Sequence, residues 1–293
     1  MSLLTQDKHL NYYTEIQTHF LQAFHHKCQQ ENIAKDYSLK PILSAWGYYA
    51  DAIDFTHDNI VDFALCIERL QQASNILTTQ GEESVFYAAS LINKSINFLK
   101  EKNVKMMDTL HLQVLTKIID DILKGKLRGV PIEIILSSTE ELLKNSFLKG
   151  YYFSNPNGIY SEEIYSIGHL CEYCLQTLDD LKSFLSYNDN LQDNIVISYL
   201  YGASTKKERA KLSEENVDSE YIHILVQKHK IIDLILEDID LKISFMKKSI
   251  SILEKTKPDY CADFRRFLDD TFNIYFQKCG LSNENKFSNK SHF

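Results

Sequence analysis

Glycine and proline are scarce in this chain, with 9 Gly and 4 Pro among 293 residues. An average protein holds roughly 12% of the two together. These residues punctuate turns, hairpins and phosphate-binding loops. A chain so poor in them is a weak candidate for a β-sandwich, a barrel or a βαβ fold, each of which needs frequent special turns. No Walker-type or Rossmann-type glycine cradle occurs in the sequence. Nor is there a charge-free run of about 18 residues, so no membrane-spanning helix is expected. The opening MSLLTQDKHLNYY has no basic segment followed by an apolar one, and no secretory signal is expected there. A basic excess is missing too. Lys and Arg number 32 against 40 Asp and Glu, a net charge of −8, which argues against a nucleic-acid partner. The run Lys206, Lys207, Arg209 and Lys211 reads as a solvated face.

What is present points to helices. Hydrophobic residues make up 44% of the chain and charged residues 25%, enough for a substantial core. Apolar residues recur at helical spacing over Leu10–Gln30, from Pro41 through Tyr49, and over Asp58–Leu77, Glu82–Lys100 and Lys105–Lys124. The pattern resumes over Ile132–Leu148, Ser161–Tyr187, Asp193–Tyr201, Lys206–Leu212, Glu220–Lys255 and Tyr260–Lys278. Pro41 fits a first helical turn, and Ser161 before Glu162 and Glu163 fits an N-cap. The Asn155-Pro156-Asn157-Gly158 cluster is the strongest turn signal. The expectation is an all-α, single-domain bundle of about ten helices over residues 1–280. A polar tail, 281–293, is expected to be disordered. The six cysteines are scattered, which suits reduced thiols in a cytoplasmic protein. Cys171 and Cys174 form a C-x-x-C without a second ligand pair, and read as core or groove residues of a helix.

A helical bundle builds its sites from side chains projecting inward, so carboxylates at helical spacing are the features to weigh. Asp pairs occur at Asp120-Asp121, Asp179-Asp180 and Asp269-Asp270. The second pair is set among Leu170, Leu175, Leu178, Leu181 and Phe184. Carboxylates amid so much apolar surface need a partner or a metal, because burying them alone is costly.

Gly168 followed by Leu175-Gln176-Thr177-Leu178-Asp179-Asp180 resembles the second aspartate-rich segment of the trans-isoprenyl diphosphate synthases, or polyprenyl synthetases. Gly168, Gln176, Asp179 and Asp180 fall in register with that pattern, and Ser183 stands where its last Asp belongs. Other segments follow in order. Leu39-Lys40-Pro41 is similar to the family's Leu-Arg-Pro segment. Ala64, Ile67, Glu68, Ala73, Ser74 and Ile76 are similar to the helix leading into its first aspartate motif. Lys144, Asn145 and Leu148 resemble its Lys-Thr-x-x-Leu segment, and Asn194–Leu200 its late Lys-x-Thr-Leu-Pro strip. The departures are equally specific. In that register the first Asp-Asp-x-x-Asp falls on Thr78-Thr79-Gln80-Gly81-Glu82, and only Glu82 keeps a carboxylate. The Gly-Gly-Lys-Arg segment reads Lys35-Asp36-Tyr37-Ser38, and the late Lys is Asn194.

The resemblance implies an isoprenoid-synthase-like bundle around a central cavity. It implies Mg²⁺ at Asp179, Asp180 and Glu82, and an allylic isoprenyl diphosphate held with Lys40, Lys144 and Gln176. Mg²⁺ requires near-octahedral oxygen ligands, and in such a site it neutralises the leaving diphosphate. Thr78 and Thr79 remove two of those charges. Three readings follow. The chain is a divergent, Mg²⁺-dependent prenyl transferase or terpene-synthase-like enzyme. Alternatively it is a non-catalytic homologue, the partner or regulatory subunit of a prenyl synthase. The third reading is an unrelated helical interaction protein. The resemblance implies a homodimer, or a heterodimer with a complete synthase.

Overall fold

The computed structural model describes residues 11–33, 39–52, 57–80, 84–102, 109–126, 131–186, 194–213 and 217–281. Every regular element among them is helical. The first helical run is α1 (Tyr12–Thr14), a π-helical stretch (Glu15–Phe20) and α2 (Leu21–Gln30). There follow α3 (Leu39–Tyr49), α4 (His57–Gln80), α5 (Val85–Glu101), α6 (Thr109–Leu123), α7 (Ile132–Leu143) and α8 (Ser146–Ser154). The later helices are α9 (Ser161–Leu185), α10 (Ile195–Ala203), α11 (Lys206–Leu212), α12 (Ser219–Lys228), α13 (Ile231–Glu254) and α14 (Pro258–Lys278). The all-α expectation is met. Glu82, the 35–38 segment and residues 282–293 of the polar tail lie outside the described residues.

Two predicted helices are each broken once. Ile132–Leu148 ends at Leu143, because Lys144 is extended (ψ 137°) and Asn145 is left-handed (φ 50°). Asparagine tolerates that region because its short side chain can bond locally. Here Asn145 Oδ1 accepts from Leu148 N at 3.0 Å, capping α8. The buried Lys149 ammonium donates to the carbonyls of Glu141 (3.1 Å) and Lys144, satisfying the end of α7 with a cation where the helix dipole favours one. Glu220–Lys255 breaks in the same way, at Lys230 (φ 51°) between α12 and α13. A period-based reading carries straight through such a break, since one left-handed residue hardly disturbs the apolar pattern.

The chain folds into two compact units: Met1–Gly168 with Leu253–Phe264, and His169–Ile252 with Arg265–Phe293. In the first unit α3 lies against α8, α4 packs on α5, α3 and α7, and α6 packs on α5 and α7. Glycine is spent where α3 meets α8. A Cβ on Gly47 would sit 1.8 Å from the Phe147 carbonyl oxygen, and one on Gly150 would sit 1.9 Å from that of Ser44. The helices therefore touch backbone to backbone. Beside them Trp46 packs on Phe264 (5.2 Å between centroids) and Tyr260 (5.8 Å), and the Tyr260 hydroxyl donates to the Trp46 carbonyl at 2.8 Å. Phe153 stacks on Phe63 at 4.8 Å in the same unit.

In the second unit the buried face of α9 carries Cys171, Cys174, Leu178, Leu181 and Phe184, so the C-x-x-C is core. The buried face of α13 carries Ile231, Ile235, Ile239, Ile243, Met246 and Ile250. The Thr205–Glu208 capping box opens α11, on whose exposed side lie Lys206, Lys207 and Lys211.

Candidate functional site

The aspartate-rich segment is the second half of α9. With Leu178 and Leu181 pointing into the core, Gln176 and Asp179 are exposed and Asp180 is half-buried. Asp180 is fully engaged. Its Oδ2 accepts the backbone N–H of Ile195 at 3.1 Å, and its Oδ1 accepts from Gln176 Nε2 at 2.9 Å. Its carbonyl accepts from Asn194 Nδ2 at 2.8 Å, while Asn194 Oδ1 caps α10 through Val196 N at 2.9 Å. Asp180 and Asn194 together thus satisfy the first orphan N–H groups of α10 with acceptors suited to a helix N-terminus.

Asp179 behaves differently. Partial burial raises its carboxyl above the usual carboxylate range. Lys278 and Lys182 pull it back down, and Asp180 adds to the rise. Burial, with Asp179 nearby, pushes the Tyr275 phenol on α14 up to about 12.

The remaining sequence-predicted positions belong to the first unit. Thr78 and Thr79 close the last turn of α4, and each hydroxyl donates back to its own helix, to Ser74 O (2.9 Å) and Asn75 O (2.8 Å). Lys40 is half-buried in the first turn of α3. Lys144 is exposed and pairs with Glu141 at 2.6 Å, and that hydrogen bond holds its ammonium above the usual lysine range. Gly168 passes the break between α7 and α8, where a Cβ would come 2.1 Å from Asn145 Oδ1. Asn145 Nδ2 also donates to the Tyr165 carbonyl at 3.0 Å. The Gly168 and Lys144-Asn145 segments, separate in sequence, therefore form one corner.

One polar cluster has no signal in the sequence. Tyr173 on α9 donates to Asp238 Oδ2 on α13 (2.9 Å) and meets the Tyr199 hydroxyl on α10 (3.3 Å). Lys242 completes it, 3.6 Å from Asp238 Oδ1. Burial and these partners raise both phenols, Tyr199 the more strongly. Its residues come from three helices with no shared spacing. A groove of about 560 Å³ in the first unit, lined by Leu112, Thr116 and the charged Lys100, Lys117, Asp120 and Asp121, is mixed in charge rather than apolar.

The donor set is a poor fit to Mg²⁺. Asp180 has both carboxylate oxygens engaged, Ser183 replaces a third acid, and Thr78 and Thr79 are turned back onto their helix. Among the described residues no group of three or more His, Cys, Asp and Glu side chains is placed to hold a metal ion. Among them, too, no helix is long and apolar enough to cross a membrane.

The helical architecture is that of the isoprenoid synthases. The chain is similar to the crystal structure of a decaprenyl diphosphate synthase from Rhodobacter capsulatus, with a TM-score of 0.60 over 91% of this chain and 98% of that one, at 13% identity. It is similar to a polyprenyl synthase from Roseobacter denitrificans as well, with a TM-score of 0.59 over 88% and 98%, at 13% identity. No protein-family model matches the sequence, and no curated protein matches it in sequence.

Proposed function

We propose that this chain is a non-catalytic homologue of the polyprenyl synthases, acting as the partner or regulatory subunit of a complete prenyl synthase. One observation carries the reading: both oxygens of Asp180 are committed to the α9–α10 junction. A carboxylate holding a helix N-terminus gives up that helix start when it turns to a dication. The positions around it point the same way. Asn194 caps α10, Lys144 pairs with Glu141, and Thr78 and Thr79 bond their own helix. The positions that would carry diphosphate chemistry serve the fold instead, and what remains is a synthase-like scaffold with its surfaces.

The catalytic reading keeps one observation in its favour. Asp179 is exposed, its carboxyl is raised by partial burial, and a bound cation would relieve that cost. In that reading Asp179, Asp180 and Glu82 hold Mg²⁺, while Lys40, Lys144 and Gln176 face an allylic isoprenyl diphosphate. The two readings separate on purified protein incubated with Mg²⁺ and geranyl or farnesyl diphosphate. We expect no pyrophosphate release by the chain alone, and co-purification with a complete prenyl synthase from the source cell. Mg²⁺-dependent release that is lost in Asp179→Asn would overturn the non-catalytic reading.

A further inference from the structure

The outer face of α13 carries four large apolar side chains open to solvent: Leu234 (40% exposed), Leu241 (51%), Phe245 (44%) and Ile252 (44%). Their steps along the chain are seven, four and seven residues. At 3.6 residues per turn these steps place all four within about 20° of one line, over a length of about 27 Å. Single exposed apolar residues need no explanation, but a continuous apolar stripe marks an interaction surface. It lies opposite the Ile235, Ile239, Ile243, Met246 and Ile250 face, so α13 is apolar on two sides, of which its own fold buries one.

The spacing also reads the same in both directions. Rotated by half a turn about residue 243, Leu234 falls on Ile252 and Leu241 on Phe245. The charges obey the same operation. From Ile231 to Asp240 the helix carries Asp233, Glu237, Asp238 and Asp240 and no base; from Leu241 to Ile252 it carries Lys242, Lys247 and Lys248 and no acid. Glu237 and Lys248 are exposed and flank the stripe on the same side, five to six residues either side of the centre. In an antiparallel pair, same-side flanks meet, so Glu237 of one helix reaches Lys248 of the other, twice. A parallel pair would oppose acid to acid and base to base. Acids early and lysines late also suit the helix dipole, but the dipole does not account for the stripe between them. A lipid surface favours a basic helix, whereas this one has four acids against three lysines.

We infer that α13 is a self-pairing surface: two copies of this chain join antiparallel along Leu234, Leu241, Phe245 and Ile252, with Glu237 and Lys248 fixing direction and register. The inference is independent of whether the chain turns over a prenyl substrate. A single helix seam is smaller than the standard interface of about 800 Å² per partner, so a dimer dissociating in the micromolar range is expected.

Sedimentation equilibrium on the full chain between about 1 and 100 µM tests it. A concentration-dependent dimer is expected, with Leu241→Glu/Phe245→Glu weakening it by more than about tenfold. Circular dichroism melts should show these surface variants folded like the parent. Glu237→Lys and Lys248→Glu should each weaken the dimer, and the double reversal Glu237→Lys/Lys248→Glu should recover it, because that swap restores both cross-pairs. A monomer over the whole range overturns the inference. So does a dimer indifferent to Leu241→Glu/Phe245→Glu, or a double reversal no better than either single change.

Discussion

Two places where this chain matches the polyprenyl synthase pattern are held by different physics. In the first unit the match rests on sterics. Gly168 leaves room for Asn145 where α7 breaks into α8, beside the contact made by Gly47 and Gly150. In the second unit the match rests on polarity, with Asp180 binding the start of α10 and Asn194 filling the place of a lysine. A close backbone approach admits one residue type, whereas a carboxylate can be kept for a helix cap after its metal chemistry is gone. Residue identity at the glycines therefore reports the fold, and residue identity at the aspartates does not by itself report the reaction.

The comparison breaks first at the glycines. Gly150→Ala drives a Cβ into the Ser44 main chain, and Gly47→Ala does the same to Phe147. No side-chain rotation relieves either clash, so α3 and α8 must part, at a cost of about 3 kcal/mol or more. Urea unfolding of either variant should show this loss as a lower midpoint. A loss below about 1 kcal/mol would mean that the seam is looser than it looks.

The fold was legible in the sequence because scarce turns and long helical periods leave few alternatives. The break at Lys144-Asn145 was not, because its cause is tertiary: Asn145 is held left-handed by its bonds to Leu148 and Tyr165. The resemblance named Asp180 and Gln176, and the two do meet. Asp180's commitment to the α10 N–H groups could not be read from its identity, since a capping carboxylate and a metal-binding one look the same in a sequence. The Tyr173–Tyr199–Asp238 cluster was invisible for the same reason, being assembled from three helices.

At the polar match, Asp180→Ala should cost about 1–2 kcal/mol by removing a helix-start acceptor. Asp180→Asn keeps one carbonyl acceptor and should cost less than half as much. Equal losses in the two variants would argue that charge, rather than capping, is what Asp180 supplies. Gly168→Ala should fall in the same range as Asp180→Ala, because its clash is with a side chain that can move away, at the expense of the α8 cap. In an Asn145→Ala background that cost should largely vanish, a coupling readable by a double-mutant cycle.

The smallest effects sharpen the comparison within the second unit, where two acids are shifted in opposite directions. Glu208 is lowered to about 2 by hydrogen bonds from Lys228 (2.7 Å), from Thr205 and from His229 (3.2 Å). Its folded value lies below its unfolded one, so its stabilisation is complete above the ordinary glutamate range and is lost as pH falls toward 2. Asp179 is raised, so the sign reverses. Its ionised form is disfavoured in the folded chain, and the penalty is present above its raised value and vanishes below the unfolded one. Melting curves from pH 7 to 3 should therefore show Glu208→Gln destabilising at neutral pH, with the difference from the parent closing as the pH drops. Asp179→Asn should be slightly stabilising at neutral pH, and that gain should close on acidification. Added Mg²⁺ should leave both differences unchanged, because a cation held by Asp179 would turn its penalty into a gain that Asp179→Asn forfeits. A parent chain stabilised by Mg²⁺ and an Asp179→Asn chain that is not would restore the aspartate match to chemistry.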